Sequence, residues 1–310
     1  MKVAITGGTG FVGHHLAERL LAEGHSAVLI SRHAGKAPLS GRVIHVASDL
    51  SNAIVLTAAF QGCEAVAHCA GINRELGAQT FQRVHRDGTW NVVTAAQRAG
   101  VRRIALMSFL RARPDCGSPY HESKFAAEEI VRNSGLDYTI VKAGMVYGRG
   151  DHMLDHLSHS LFTFPLLATV GWRAKAIRPL PIEDLVNVLH AALIAKRLPR
   201  KTIAVTGADQ LYLRDAFLQI AEVLGRKVWI VPAPIMFHRV LAQICEWTMK
   251  VPLVAKAQVR ILSEGVVEAA GATDPLPADL LPRRHFTAEQ IRGGLPQPEP
   301  FGMRDLRCWG

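Results

Sequence analysis

The sequence has few cysteines, and their spacing excludes several kinds of protein. There are five of them, an odd number, and no two form a Cys-x-x-Cys motif. Neither a disulfide framework nor a zinc site is therefore indicated. No uncharged apolar stretch reaches the roughly 18 residues that a membrane-spanning helix requires, and a predicted strand beginning at Lys2 leaves no room for a signal peptide. We expect reduced thiols and a cytoplasmic location, with a peripheral membrane association left open.

The sequence also has fewer acidic than basic residues. The 310 residues include 36 Lys and Arg but 26 Asp and Glu, which gives a formal net charge of +10. Such a surface suits anionic ligands, for example a phosphorylated cofactor, an acyl-CoA or an anionic membrane face. The basic residues occur in small scattered clusters without interleaved aromatic residues, which is not typical of nucleic-acid-binding proteins. We therefore expect no nucleic-acid partner.

The chain begins with a short apolar strand that leads into a glycine-rich turn. Gly7, Gly10 and Gly13 form a Gly-x-x-Gly-x-x-Gly frame between a strand at 2–6 and a predicted helix that starts near Phe11. Glycine lets the backbone turn tightly and approach a pyrophosphate, while a helix N-terminus attracts the anion. An ordinary strand–helix turn is the alternative, but this context favours dinucleotide binding. The predicted cofactor contacts in the turn are Gly7, Thr9, Gly10, Phe11, Val12 and Gly13.

The segment that follows lacks carboxylates. No Asp or Glu occurs from Gly24 to Ser48, although NAD-binding folds place an acid about 20 residues after the glycines, on the ribose 2′-hydroxyl. The second predicted strand ends instead in Ser31 and Arg32, and Lys36 follows. An arginine can stack on adenine and pair with a 2′-phosphate. We predict NADP(H) rather than NAD(H), with contacts from Ser31, Arg32 and Lys36.

Apolar runs alternate with helical patterns through the first half of the chain. This rhythm predicts an α/β fold, a Rossmann-like doubly wound parallel sheet. Asp49 and Leu50 follow the third strand, where a carboxylate can reach the adenine amino group. Ala70 and Gly71 follow the fourth, where small residues let the backbone approach the nicotinamide ribose. The predicted strands are 2–6, 26–31, 42–47, 64–69, 102–108 and 137–142, and the predicted helices are 11–23, 53–60, 80–99 and 119–134.

A serine, a tyrosine and a lysine form the second motif with chemical meaning. Tyr120 and Lys124 are i and i+4 on a predicted helix, so their side chains share a face. A neighbouring ammonium favours a phenolate, and Lys124 is expected to lower the pKa of Tyr120. Ser108 ends the fifth strand and is predicted to orient a substrate carbonyl, while Tyr120 gives or takes the proton. A surface pair on a helix is the alternative interpretation.

These residues bring the sequence close to a known family. Thr6–Gly13, Asp49-Leu50, Ser108, Tyr120-x-x-x-Lys124 and Val146-Tyr147-Gly148 together resemble the extended and atypical short-chain dehydrogenase/reductases, the superfamily of NAD-dependent epimerase/dehydratases. Residues 128–141 look most like the branch that contains the nucleotide-binding accessory subunit of respiratory complex I. The resemblance implies a bound nicotinamide dinucleotide, a small C-terminal substrate lobe and catalytic roles for Ser108, Tyr120 and Lys124. It also implies cofactor contacts at Tyr120, Lys124, Ala143 and Val146.

The sequence departs from the family pattern at two places. Many members of the family have an asparagine in the region where this sequence has His85. The replacement puts a proton relay through that position in doubt. The usual Arg-Pro-Gly after the sixth strand is replaced by Lys142-Ala143-Gly144, and without the proline the loop loses a fixed φ angle.

The second half of the chain is less regular. We predict a dinucleotide-binding domain over 1–206, in which 151–180 borders the substrate pocket, and a smaller lobe over 207–310 with an irregular tail. Histidines 152, 156 and 159 share a helical face; pocket or surface residues are expected there and no metal, although a metal site is the alternative. Segment 229–254 is either the core of the small lobe or an apolar surface for a lipid-like substrate, a membrane face or a protein. Homodimerisation is left open.

Three functions remain as hypotheses. The first is an NADP(H)-dependent oxidoreductase that moves hydride between nicotinamide and a small-molecule carbonyl or alcohol. The second is an NADPH-binding accessory, assembly or redox-sensing protein with little turnover. The third is a sugar-nucleotide epimerase or dehydratase.

Overall fold

The computed structural model describes residues 1–33, 39, 41–163, 166–172, 175–249, 254–296, 299–302 and 305. The chain forms two compact units, each assembled from separate stretches. The first contains residues 1–143, 182–205 and 268–281, and the second contains 144–181, 206–267 and 282–310.

The first unit is built on a parallel sheet of seven strands. The spatial order is β11-β6-β5-β4-β1-β2-β3, and every neighbouring pair is parallel. The chain turns away from β1 in both directions, to β2 on one side and β4 on the other, and ligands of such sheets bind beside the carboxyl ends at this point. The predicted fold class is confirmed. The strands are β1 (Lys2–Thr6), β2 (Ser26–Ser31), β3 (Val43–Ala47), β4 (Ala65–His68), β5 (Arg103–Phe109), β6 (Asp137–Ala143) and β11 (Lys201–Val205).

Five α-helices of the described residues pack around this sheet. Buried apolar side chains of strands and helices form a continuous core, in which Leu56, Phe60, Val92 and Ile104 are fully enclosed. The middle residues of β1, β2 and β5 are apolar and buried, as in a parallel sheet that is covered on both faces, whereas β3 at the edge of the sheet is partly exposed. The helices are α1 (Phe11–Ala22), α2 (Ala53–Phe60), α3 (Gly88–Arg98), α4 (Pro119–Arg132) and α6 (Ile182–Leu193).

The predicted helix over 80–99 is interrupted in the structure. Gln82–Asp87 form a π-helical segment, and regular α-helix starts only at Gly88. Wider helical turns of this kind are rare and are often found at functional sites. Apolar periodicity does not reveal this change, because the π-helical segment spans only six residues.

The second unit is smaller and contains short strand pairs. Residues 144–181 belong to it rather than to the sheet domain, because their strands pair inside this unit: β7 with β10, β8 with β13 and β9 with β12. Its strands are β7 (Val146–Tyr147), β8 (Leu166–Val170), β9 (Ala176–Ile177), β10 (Leu180–Pro181), β12 (Leu211–Tyr212) and β13 (Trp229–Ala233). Its helices are α5 (His152–Thr163), α7 (Leu213–Val223), α8 (Ile235–Thr248), α9 (Lys256–Glu264) and α10 (Ala288–Gly294).

The C-terminal stretch contains more structure than its proline and glycine content predicts. Residues 268–281 join the first unit, where the Asp274 N–H donates to the Thr202 carbonyl at 2.6 Å and the Ala270 N–H to the Leu110 carbonyl at 2.9 Å. Ala278–Leu280 form a 3₁₀ turn. Among the described residues, no helix combines the length and the apolar character needed to cross a bilayer.

Candidate functional site

The glycine turn has a backbone geometry that larger residues do not tolerate. Gly7 has a φ of +68°, and its N–H donates to the Ile30 carbonyl at 2.8 Å, while the Gly10 N–H donates to the Gly7 carbonyl at 2.9 Å. A Cβ on Gly7 would lie 2.8 Å from Ala70 Cα. Gly10 caps α1 and has no side chain to accept from the first-turn N–H groups. The turn therefore offers unshielded donors and close backbone approach, which fits a pyrophosphate.

Gly13 provides a test of this cradle. A Cβ on Gly13 would lie 2.3 Å from the Gly7 carbonyl oxygen, so the turn must open to accept it. We expect Gly13→Ala to weaken dinucleotide binding about 5- to 150-fold, because relieving such overpacking costs about 1–3 kcal/mol. Gly293→Ala is the matched control, since Gly293 is also helical and a Cβ there meets nothing within 4 Å. Equal dissociation constants for both variants in a titration with NADPH would contradict the cradle.

The carboxyl end of β2 is tied to the glycine turn. The hydroxyls of Thr9 and Ser31 both donate to the His33 carbonyl, at 3.5 and 2.7 Å. Arg32 is exposed beside them, and Lys36 lies outside the described residues.

The Asp49 carboxylate accepts from the Ser51 hydroxyl and N–H, at 2.6 and 2.9 Å. These bonds hold the pKa of Asp49 below its usual value, and the charges of Arg83 and Arg32 lower it further.

Small residues after β4 make room for the lysine of α4. A Cβ on Gly71 would lie 3.0 Å from Lys124 Nζ, and that ammonium donates to the Met107 carbonyl at 3.3 Å. Burial lowers the pKa of Lys124 to about 8. Cys69, next to this ammonium, has its thiol pKa raised to about 12 by burial. The structure therefore brings Lys124 to the ends of β4 and β5, where the sequence predicts the nicotinamide ribose.

Tyr120 lies in the first turn of α4 inside an aromatic cluster. Its ring centroid is 5.5 Å from that of Phe81, 5.5 Å from that of Phe109 and 5.7 Å from that of His85. Burial raises the pKa of Tyr120 to about 12, because these rings do not solvate a phenolate. The expectation that Lys124 lowers this pKa is wrong for the protein alone. The phenol is protonated at neutral pH and can serve as an acid.

His85 is the main site residue whose role the sequence left undefined. Its Nε2 accepts from the Ile72 N–H at 3.1 Å, so Nδ1 carries the proton and donates to the Ser123 hydroxyl at 2.9 Å. Ser123 in turn donates to the Tyr120 carbonyl at 3.0 Å. Burial and then the Lys124 charge hold the pKa of His85 well below its usual value. A neutral histidine from the π-helical segment therefore orients the first turns of α4.

A second buried histidine joins the central strands. His68 Nδ1 lies 2.6 Å from the Thr6 hydroxyl, and Nε2 lies 2.9 Å from the Thr89 hydroxyl. Thr89 donates its own proton to the His85 carbonyl, so it accepts from Nε2–H, and Nδ1 accepts from Thr6. Burial, with the Lys124 charge, lowers the pKa of His68 to about 3. This neutral chain connects β1, β4 and α3 directly beneath the site.

Ser108 has a different neighbour from the one its motif predicts. Its hydroxyl donates to the Glu128 carboxylate, which is 1% exposed and lies 3.2 Å from Lys142 Nζ. Glu128 is eight residues beyond Tyr120 on α4, or about 12 Å along the helix axis. Neighbouring strand residues face opposite ways, and it is Phe109 that contacts the Tyr120 ring. To orient a carbonyl, the Ser108 hydroxyl would have to leave Glu128.

Three further residues are predicted to contact the cofactor. The Leu50 side chain packs against Gly88. Ala143 ends β6 and its carbonyl accepts from the Leu110 N–H at 2.9 Å, while Val146 pairs with Leu180 in the second unit. Cofactor contacts at these positions stay predictions.

The predicted histidine face on α5 is described only in part. His159 Nδ1 lies 2.7 Å from the Asp155 carbonyl, whereas the side chains of histidines 152 and 156 lie outside the described residues. Within the described part of the chain, Glu23, His25 and His190 are the one group whose donor atoms come within metal-binding distance of each other. Arg19 donates to the same Glu23 carboxylate, so this group already holds a cation.

Known proteins with a similar sequence include a family that binds a nicotinamide dinucleotide. A family described as NAD(P)H-binding matches residues 7–155. The ceramide reductase of Caulobacter vibrioides is 36% identical over 234 residues, which cover 75% of this chain and 73% of that protein. The photosystem II assembly factor Ycf39 of Synechocystis is 25% identical over 259 residues, covering 80% and 76%. The first curated relatives are longer, and the match spans 25% of their length.

Solved structures agree on the fold. The UDP-glucuronic acid 4-epimerase of Bacillus cereus superposes with a TM-score of 0.69 at 18% identity, covering 94% of this chain and 97% of that one. The protein is an NAD(P)-binding member of the Rossmann-like α/β class. It belongs to the extended short-chain dehydrogenase/reductases, the NAD-dependent epimerase/dehydratase superfamily.

Proposed function

We propose that the protein is an NADP(H)-dependent oxidoreductase that interconverts a carbonyl and an alcohol. The placement of Lys124 carries the proposal, because its ammonium lies against Gly71 and donates to the Met107 carbonyl. Tyr120 stands one turn earlier on the same face of α4. Together they offer a proton donor and a cation at the edge of the sheet where the glycine turn would hold the pyrophosphate.

The chain's own residues account for the proton and for binding. When bound, the nicotinamide supplies or accepts a hydride at its C4 atom. In the reducing direction the phenol of Tyr120 donates its proton to the carbonyl oxygen, so that the carbonyl carbon gains hydride and an alcohol is released. The Lys124 ammonium would bind the ribose hydroxyls of the cofactor. His85, through Ser123, positions the backbone of Tyr120.

A lipid carbonyl or alcohol is the substrate class that we favour. The similarity to a ceramide reductase over three quarters of the chain supports this choice. NADPH oxidation by the full-length protein, measured over a panel of fatty-acyl ketones, steroids, quinones and sugars, tests it. Turnover confined to the sugars would contradict the lipid class, and no turnover with any compound would contradict the oxidoreductase.

The preference for NADP(H) depends on Arg32. We expect Arg32→Ala to weaken NADPH binding roughly 10- to 100-fold, since a hydrogen bond to a charged group contributes about 1.5–3 kcal/mol. NADH lacks the 2′-phosphate, so its affinity should change much less. Arg42→Ala, which removes another exposed arginine, serves as the control. Equal weakening of NADPH and NADH by Arg32→Ala, measured by calorimetry, would rule out the 2′-phosphate contact.

An accessory or assembly role is the second candidate. The bond from Ser108 to Glu128 supports it, since the serine of the motif does not orient a carbonyl while that bond lasts. The similarity to a photosystem II assembly factor supports it as well. Tight NADPH binding without turnover would favour this candidate. A sugar-nucleotide epimerase is disfavoured, because the segment from Gly24 to Ser48 lacks the acid that binds the NAD ribose.

A further inference from the structure

Helix α8 of the second unit is apolar on two opposite faces. One face is buried and consists of His238, Ala242 and Cys245. The other face is exposed, although its residues repeat with the same helical spacing: Met236, Phe237, Val240, Ile244 and Trp247. Phe237 is 51% exposed and Trp247 is 70% exposed. A surface helix normally turns polar side chains toward water, so this exposed stripe requires an explanation.

Two tryptophans on the segments beside α8 are exposed as well. Trp229, at the start of β13, is 75% exposed, and Trp172, after β8, is 72% exposed. The Gly171 N–H donates to the Ala233 carbonyl at 2.8 Å, which holds Trp172 next to the beginning of α8. Among the described residues, eight of the seventeen large exposed apolar side chains fall between 229 and 247. We call Trp172, Trp229 and the exposed stripe of α8 the apolar surface. Such concentration marks an interaction site rather than ordinary scatter.

The charge around the apolar surface limits what can cover it. Residues 226–260 contain six Lys and Arg and one acidic residue, Glu246. Arg226, Lys227, Arg239 and Lys256 are exposed, whereas the Glu246 carboxylate accepts from the Lys256 N–H at 2.9 Å. Two copies meeting through this surface would bring like charges together. An anionic partner is favoured instead.

We infer that the apolar surface docks on the face of an anionic phospholipid bilayer, with α8 lying in the plane of the interface. Tryptophan and phenylalanine side chains enter the boundary between headgroups and acyl chains, and the basic residues beside them contact lipid phosphates. Tryptophan is enriched at this depth because its ring is apolar and its N–H is polar. The inference concerns the second unit alone and does not depend on the proposed reaction.

Vesicle binding by the full-length protein tests the apolar part of the inference. The probe is co-flotation with vesicles of phosphatidylglycerol and phosphatidylcholine, compared with vesicles of phosphatidylcholine alone. We expect binding to the anionic vesicles and at least about 10-fold weaker binding by the double variant Phe237→Ser, Trp247→Ser, because each exposed aromatic ring loses its burial in the interface. Trp90→Ser is the matched control, since Trp90 is 63% exposed on α3. Thermal unfolding of each variant checks that it folds.

Charge reversal tests the electrostatic part. Arg239→Glu should weaken binding to anionic vesicles several-fold, and added salt should reduce the difference from the native protein. Arg98→Glu, on the exposed side of α3, should leave binding unchanged. The inference is overturned if the native protein does not bind anionic vesicles. It is also overturned if the Trp90 and Arg98 variants lose as much vesicle binding as the variants of the apolar surface and of Arg239. A dimer in light scattering that the Phe237/Trp247 variant converts to a monomer would overturn it too, since a second copy would then cover the surface.

Discussion

Tyr120→Phe is expected to lower kcat for carbonyl reduction about 10²- to 10⁴-fold, the usual contribution of a positioned general acid. The phenylalanine keeps the ring contacts with Phe81 and Phe109, so folding and cofactor affinity should change little. Only the hydroxyl proton is lost. Because burial raises the pKa of Tyr120 to about 12, this proton is present throughout the neutral range before cofactor binds. Single-turnover oxidation of bound NADPH measures the effect without interference from product release.

Tyr138→Phe is the matched control for that measurement. Tyr138 is half-buried on β6 and packs against the apolar core of the first unit, away from the aromatic cluster of α4. It should retain native turnover. Unchanged turnover in Tyr120→Phe would show that another group donates the proton. In that case the neutral His85 network would be the next place to look, because it carries a proton on Nδ1 toward Ser123.

Glu128→Gln is expected to lower the free energy of unfolding by about 3–5 kcal/mol, because breaking a buried ion pair leaves an uncompensated charge. Lys142 is 2% exposed and donates to the Ala112 carbonyl at 2.9 Å, so it cannot turn to water. The glutamine keeps the size of the side chain and can still accept from Ser108. Urea unfolding at neutral pH gives the value.

Glu129→Gln provides the comparison for Glu128. Glu129 is its neighbour on α4, pairs with Arg132 and has 44% of its side chain exposed. Exposed pairs contribute about 0–1 kcal/mol, so this variant should remain close to the native protein. Similar losses in the two variants would mean that the Glu128–Lys142 pair is not what stabilises this part of α4.

The sequence predicted the elements whose causes are local. The glycine turn between β1 and α1 is an example, because Gly7 has a positive φ and a Cβ on Gly13 would collide with the Gly7 carbonyl, six positions earlier. The same holds for the parallel strands, whose apolar runs show burial on both faces. Tyr120 and Lys124 share a face of α4 by helical spacing alone. Each of these features can be identified without knowing where distant residues lie.

Other features of the site depend on distant residues. The sequence places Ser108 at a strand end but says nothing of Glu128, twenty positions later, whose carboxylate accepts its proton. The tautomer of His85 follows from the Ile72 N–H, thirteen positions earlier. The pKa of Tyr120 moved opposite to the expectation, because a neighbouring lysine is visible in the sequence whereas enclosure by Phe81 and Phe109 is not.

By itself, the sequence determined the fold class, the glycine turn and the Tyr–Lys pair, because glycine, apolar periodicity and helical spacing act over short distances. Only the tertiary structure decided which partners the buried polar groups have and which residues belong to each unit. Segment 144–181 joined the second unit because its short strands pair there. Likewise, the periodicity of α8 shows two apolar faces, and only packing reveals which one is left exposed. Burial and pairing of this kind are properties of the whole folded chain, since each depends on groups that are far apart in the sequence.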